Sequence, residues 1–401
     1  MSVRRETMVE AVIVDAVRTP IGRAFKGSLR SVRADELAAV PLRALIDRNP
    51  GVDFGATDDV MMGAASSSGE QSYNVGRNAL LLAGIEETVP GCTVNRFCAS
   101  SLQTLRMAFH AIRAGEGEQY IAAGVESVSR AAAGAAPDGA NLNPRLDGSP
   151  GSICDVYMPM GRTAENVAER FSVTREDQDQ WAVISQDRAV SAQLSGHYDS
   201  EVVAVRAPAH TQDGVEVEEV LVTRDDGPRP GTTMEVLATL EPAFLAGGTV
   251  TAGNSCPLND GAAAVLVMSA PRAERLGLRP RARIVASAVA GLEPEYMGVG
   301  PIPAIRRLLE RASLQIDDID IVEINEAFAA QVVPCMRRLG IAEAKLNPFG
   351  GAIALGHPFG MTGARIMTTL LNGLEKTGGR YGIDALCAAG GLGQAMLVER
   401  I

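Results

Sequence analysis

Aromatic side chains are scarce in this chain of 401 residues: nine Phe, six Tyr and one Trp stand against 42 Gly. A core of that composition is built from Ala, Val, Ile, Leu and Met, which implies close backbone packing. Histidine is scarcer still, with four residues, and the six cysteines contain no C-x-x-C pair, so neither a metal site nor a disulfide framework is indicated. Reduced thiols in a cytoplasmic protein are the simpler reading. Basic residues are outnumbered, 37 Lys and Arg against 48 Asp and Glu, and the net charge of −11 speaks against a nucleic-acid partner. It still permits a local basic pocket for a phosphate. No apolar run reaches about 18 residues, so no membrane insertion is expected, and Met1 to Met8 lacks the apolar stretch of a secretory leader.

What is present is one order of elements stated twice. In the first half, strands are predicted at Ala11 to Asp15, Asp59 to Gly63, Gly91 to Asn95 and Tyr120 to Val125. Helices fall between them at Ala34 to Arg48, Asn74 to Ala83 and Ala99 to Ala114. The second half repeats the order with strand Ala282 to Ser287, helix Pro303 to Arg311, strand Ile319 to Ile324 and helix Ala327 to Arg338. Strand Ala344 to Pro348, helix Gly363 to Glu375, strand Ile383 to Ala388 and strand Gln394 to Val398 complete it. The last strand of the first half is Ala262 to Met268, so residues 128–258 read as an insertion with helices near Thr163 to Phe171 and Arg175 to Leu194. The expected organisation is therefore a half at 1–127 completed by about 259–280, an inserted loop domain at 128–258 that caps a substrate site, and a second half at 281–401.

Four residues stand where chemistry is done, at strand or loop ends. Cys98 lies at a strand-to-helix junction, where amides and the helix dipole favour an anion, so its thiol is expected to ionise readily. A lone cysteine in apolar surroundings is more commonly a core residue. His357, between glycines and followed by Pro358, has a neutral ring favoured by the next helix start, or is simply a hydrogen-bonded loop histidine. By the duplication it stands where Cys98 stands in the first half, so the two face each other. Cys387, before the Gly390-Gly-Leu-Gly393 loop, is either an acid and base or a core thiol. Asn325 either orients a water or carbonyl, or caps the following helix. The glycine loop is no dinucleotide fingerprint, because a strand follows it.

The blocks Val94-Asn-Arg-x-Cys98, Asn325-Glu-Ala-Phe-Ala329, Gly350-Gly-Ala-Ile-Ala-Leu-Gly-His-Pro358 and Cys387-x-x-Gly-x-x-Gly393 resemble the active-site blocks of the thiolase family. The resemblance covers nearly the whole chain. It implies an α/β protein with the duplicated five-layered α-β-α-β-α thiolase fold and an inserted loop domain. It implies ping-pong acyl transfer with coenzyme A as cosubstrate, no permanently bound cofactor, acyl-CoA and CoA as ligands, and a homodimer or homotetramer. Cys98 is then the acylated nucleophile, His357 its activator, and Cys387 the acid and base at the acetyl carbon. Asn325 holds a water for one oxyanion hole, and the N–H groups of Cys98 and Ala389 make the other. Arg229, Cys256, Met160, Met297, Phe244 and Phe328 are the implied CoA and acyl contacts.

The chain departs from the family pattern in Ala99-Ser100-Ser101 after the nucleophile, in Ala389 for a usual Gly, and in Cys256 for a usual Ser. The Met158-Pro-Met-Gly161 form and Asn347-Pro348 look more like degradative 3-ketoacyl-CoA thiolases of fatty-acid β-oxidation. Two alternatives stay open: an acetyl-CoA acetyltransferase making acetoacetyl-CoA, and a catalytically idle CoA- or lipid-binding relative.

Overall fold

The computed structural model describes residues 9–131, 142–210 and 216–401. The leaderless N-terminus expected at Met1 to Met8, and parts of the expected insertion, lie outside the described residues. The first half runs β1 (Ala11–Arg18), β2 (Gly22–Arg23), α1 (Ala34–Arg48), β3 (Asp59–Gly63), α2 (Val75–Leu82), β4 (Gly91–Val94), α3 (Ser100–Ala114) and β5 (Gln119–Ser127). Then come α4 (Met160–Arg170), α5 (Arg175–Leu194), a hairpin of β6 (Val205–His210) and β7 (Glu216–Val222), and α6 (Met234–Ala238). The chain returns with β8 (Asn259–Ser269) and α7 (Ala270–Arg275). The second half is β9 (Ala282–Gly291), α8 (Pro301–Ala312), β10 (Ile321–Ile324), α9 (Ala329–Leu339), α10 (Ala352–Leu355), α11 (Thr362–Thr377), β11 (Tyr381–Ala388) and β12 (Leu392–Arg400). Among the described residues, no helix is long and apolar enough to cross a membrane.

The strands order as β10-β11-β12-β9-β1-β8-β5-β3-β4, and among the described residues the strands of the two halves pair only where β1 meets β9 at Val12 and Ile13. Strand β8 reaches back to pair antiparallel with both β5 and β1. Its apolar run Ala262 to Met268 has no polar face because both faces are covered. Ala263, Val265 and Val267 pack with α3 and α11, whereas Ala262, Ala264, Leu266 and Met268 pack with α1 and α2. The strands of the second half divide likewise, with Leu386 and Ala388 toward α3 and α11, and Ile383 and Ala385 toward α8 and α9. The order of layers is thus helix, sheet, helix, sheet, helix, with α3 and α11 in the middle. Their N-termini, which follow Cys98 and His357, are tied where the Ala364 N–H donates to Ser101 Oγ at 2.9 Å.

One predicted strand is absent. Residues 344–348 hold a 3-10 turn at Glu343–Lys345 and a single parallel bridge between Leu346 and Val322. Asn347 stands in a left-handed backbone (φ 46), and its side-chain amide takes over the ladder's work. Its Oδ1 accepts from Ile324 N–H at 2.8 Å and its Nδ2 donates to Ile324 O at 2.9 Å. A side chain that satisfies both groups of a strand residue removes the need for a paired strand.

Candidate active site

Cys98 is buried just before the first turn of α3, and its sulfur is within hydrogen-bonding reach of its own N–H and that of Ala389. Ala389 follows the end of β11, so two strand ends and a helix start converge on one thiol. The thiol is not the easily ionised group that its helix position suggests: its pKa is pushed up, first by burial and then by Cys387 and Glu126. Two amide donors lower it by less than removal from water raises it. At rest Cys98 is a neutral thiol that needs a base.

His357 supplies a ring in the right state. Its Nδ1 lies 2.6 Å from Thr362 Oγ1, and that hydroxyl donates its one hydrogen to Pro358 O at 2.7 Å. The hydroxyl therefore accepts from Nδ1–H, and Nε2 is left with its lone pair. Burial, with Arg365 second, pushes the ring's pKa down to about 3. The cause of neutrality is burial more than a helix start. The His357 N–H donates to Asn259 Oδ1 at 2.9 Å, which fixes the loop.

Asn325 is not a helix cap, since α9 begins four residues later behind Phe328. Its Nδ2 lies 3.3 Å from His357 Nε2, and its buried Oδ1 has no hydrogen-bond partner among the described residues. With Nε2 unprotonated, the amide must present its nitrogen there. Cys387 is also neutral, its pKa raised by burial and then by Cys335 and Cys256. Its thiol donates to Gln331 Oε1 at 3.8 Å, and Gln331 is held in that orientation because its Nε2 donates to Gly298 O at 3.2 Å.

The structure thus brings Cys98, Cys387, Cys256 and Ala389 together, and His357 with Asn325. The Cys256 N–H donates to Ala327 O at 3.0 Å, linking the thiol group to the segment after Asn325. An apolar wall adjoins them: the Phe244 and Phe328 rings meet edge to face with centroids 6.0 Å apart. Gly161, in the first turn of α4 beside Met160, is required there because a Cβ would strike the Phe244 ring. Met297 is fully buried in the core behind this wall. Arg229 stands apart from the thiols, exposed, on a segment whose Gly227 packs against the carbonyls of Ala354 and Leu355. Among the described residues, no cluster of His, Cys, Asp or Glu could hold a metal ion.

Sequence reasoning missed Thr362, Gln331, Asn259 and Glu126. Glu126 is fully buried at the end of β5 and accepts from the N–H groups of Ala65, Ser66 and Gly360 at 2.9, 3.1 and 2.8 Å. It binds the loop after β3 to the loop after His357. A carboxylate closing an otherwise apolar strand is the signal that could have found it.

Residues 11–271 match the family description "Thiolase, N-terminal domain" and residues 278–400 match "Thiolase, C-terminal domain". The chain is 49% identical to the beta-ketoadipyl-CoA thiolase of Pseudomonas aeruginosa, over 98% of this chain and 99% of that one. It is 47% identical to the 3-oxoadipyl-CoA/3-oxo-5,6-dehydrosuberyl-CoA thiolase of Escherichia coli K12, over 98% and 100%. Among solved structures, the acetyl-CoA acetyltransferase of Bacillus anthracis superposes with a TM-score of 0.87 at 38% identity, covering 98% of this chain and 99% of that chain.

Proposed function

Because the chain belongs to the thiolase family and so carries out acyl transfer with coenzyme A as cosubstrate, we propose that it cleaves short dicarboxylic 3-ketoacyl-CoAs, 3-oxoadipyl-CoA foremost. The names of its relatives support that substrate over the fatty 3-ketoacyl-CoAs of β-oxidation, which are the second reading. The observation that carries the mechanism is a neutral buried thiol at Cys98 beside two amide donors, with a neutral imidazole held ready as base.

In the first half-reaction, His357 Nε2 takes the Cys98 proton as sulfur attacks the C3 carbonyl, whose oxygen is received by the Cys98 and Ala389 N–H groups. The C2–C3 bond breaks, its electron pair passes to C2, and the enolate oxygen is met on the Asn325 and His357 side. Cys387 gives its proton to C2, and acetyl-CoA leaves. The imidazolium proton then returns to Cys387. In the second half-reaction, His357 takes the proton of free CoA, whose sulfur attacks the acyl group, and the proton passes to the departing Cys98 thiolate. Protons and electrons balance over the cycle. The CoA contacts are Arg229 and Cys256, and the acyl contacts Met160, Phe244 and Phe328, with Met297, expected as a fourth, packed behind them in the core. The assembly is a homodimer or homotetramer.

The test is thiolysis of 3-oxoadipyl-CoA, acetoacetyl-CoA and 3-ketodecanoyl-CoA by wild type and Cys98→Ser. The highest kcat/KM is expected on 3-oxoadipyl-CoA, with turnover lost in the variant. A preference for the ten-carbon chain would favour the fatty-acid reading.

A further inference from the structure

Two carboxylates near β2 are already engaged. Asp225 accepts from the Arg18 guanidinium at 2.7 and 2.9 Å and from the Ile21 N–H at 2.7 Å. Asp226 Oδ2 accepts the N–H groups of Arg23 and Ser28 at 3.0 and 2.8 Å, and the Asp226 N–H donates to Ile21 O at 3.0 Å. These bonds lace Asp225 and Asp226, four and three residues before Arg229, to residues 18–28. The lacing sets Arg229 beside Arg23, whose charge, after burial, holds the Arg229 pKa below its ordinary value. Neither guanidinium forms an ion pair among the described residues, in a protein of net charge −11. Like charges placed together repel, and an anion between them relieves that cost.

Both arginines are anchored on the chain that carries His357. Arg23 pairs in register with Asn259, which holds the His357 N–H, and Gly227 packs on the carbonyls two and three residues before His357. Two residues from Arg23, Phe25 sits in a left-handed backbone (φ 65) with half its surface exposed. A bulky residue adopts that conformation only when its surroundings impose it. Here the Phe25 N–H donates to Ser129 Oγ at 2.7 Å, and Ser129 Oγ donates to Asp260 Oδ2 at 2.6 Å. The turn is braced so that an apolar ring faces water two residues from Arg23.

We propose that Arg23 is a second cation for the phosphates of coenzyme A, beside Arg229, and that Phe25 offers its ring to the purine of the same molecule. The proposal rests on the CoA-dependent reading above and extends its binding site to a loop of the first half. Calorimetric titration of the full-length protein with CoA and with pantetheine tests it. Arg23→Gln is expected to weaken CoA binding about tenfold while leaving pantetheine binding unmoved, and Arg23→Lys to recover most of the loss. Phe25→Ala is expected to weaken CoA binding about fivefold, again without effect on pantetheine. Unchanged CoA affinity in Arg23→Gln, or an equal loss on pantetheine, overturns the phosphate contact; unchanged affinity in Phe25→Ala overturns the purine contact. A wild type that binds CoA yet turns over no 3-ketoacyl-CoA would sink the functional reading and leave this one standing.

Discussion

Thr362 Oγ1 lies 2.6 Å from His357 Nδ1, and since that hydroxyl already donates to Pro358 O, it sets which ring nitrogen carries the proton. Every proposed proton transfer that involves His357 passes through the nitrogen thereby left unprotonated, and only the step from Cys387 to C2 does not.

Replacing Thr362 by Val keeps the shape but removes the acceptor, so the ring no longer holds one tautomer. We predict a fall in kcat of about tenfold or more in Thr362→Val and near wild-type turnover in Thr362→Ser. Steady-state thiolysis, with thermal unfolding as a check that the fold survives, decides it. Equal loss in both variants would mean that Thr362 acts by packing alone.

Gln331 holds the proton of Cys387 and so bears on chemistry at C2. In Gln331→Met, exchange of the acetyl-CoA methyl protons with deuterated water, followed by NMR, should slow more than acylation of Cys98 does. Parallel losses in the two steps would contradict this assignment.

Glu323 is fully buried on β10, and burial raises its pKa to about 8. An unfolded glutamate titrates near ~4.3, so between that value and about 8 the folded state holds a proton that the unfolded state has lost. Its contribution to stability is complete below the unfolded pKa and is lost as pH rises through the folded one. Glu323→Gln removes the loss. Its Tm should exceed that of wild type by roughly 2 °C or more at pH 8.5 and match it near pH 4.5. A constant offset at both pH values would rule out titration as the cause.

Much of the site was legible because the hydrophobic periodicity marks strand ends and helix starts. Asn325 and Cys387 fall at the ends of β10 and β11, and Cys98 and His357 stand shortly before α3 and α11. The partners that set their protonation were not legible: Gln331 reaches Cys387 from another element, and Glu126 holds Gly360, 234 residues further along the chain. The ionisation of Cys98 was misjudged for a related reason. A helix start is visible in sequence, whereas the burial that overrides it comes from segments distant in the chain, among them those of Cys387 and Glu126. The missing strand at 344–348 shows the same limit, because an asparagine amide can replace a ladder and leave the hydrophobic pattern unchanged.

The central claim is that Cys98 carries the acyl group through catalysis. Mass spectrometry of the intact protein and its peptides, after brief exposure to 3-oxoadipyl-CoA without free CoA, tests this directly. The account predicts one succinyl group per chain, on the Cys98 peptide, discharged when CoA is added. No adduct, or an adduct on Cys387 in place of Cys98, would contradict it.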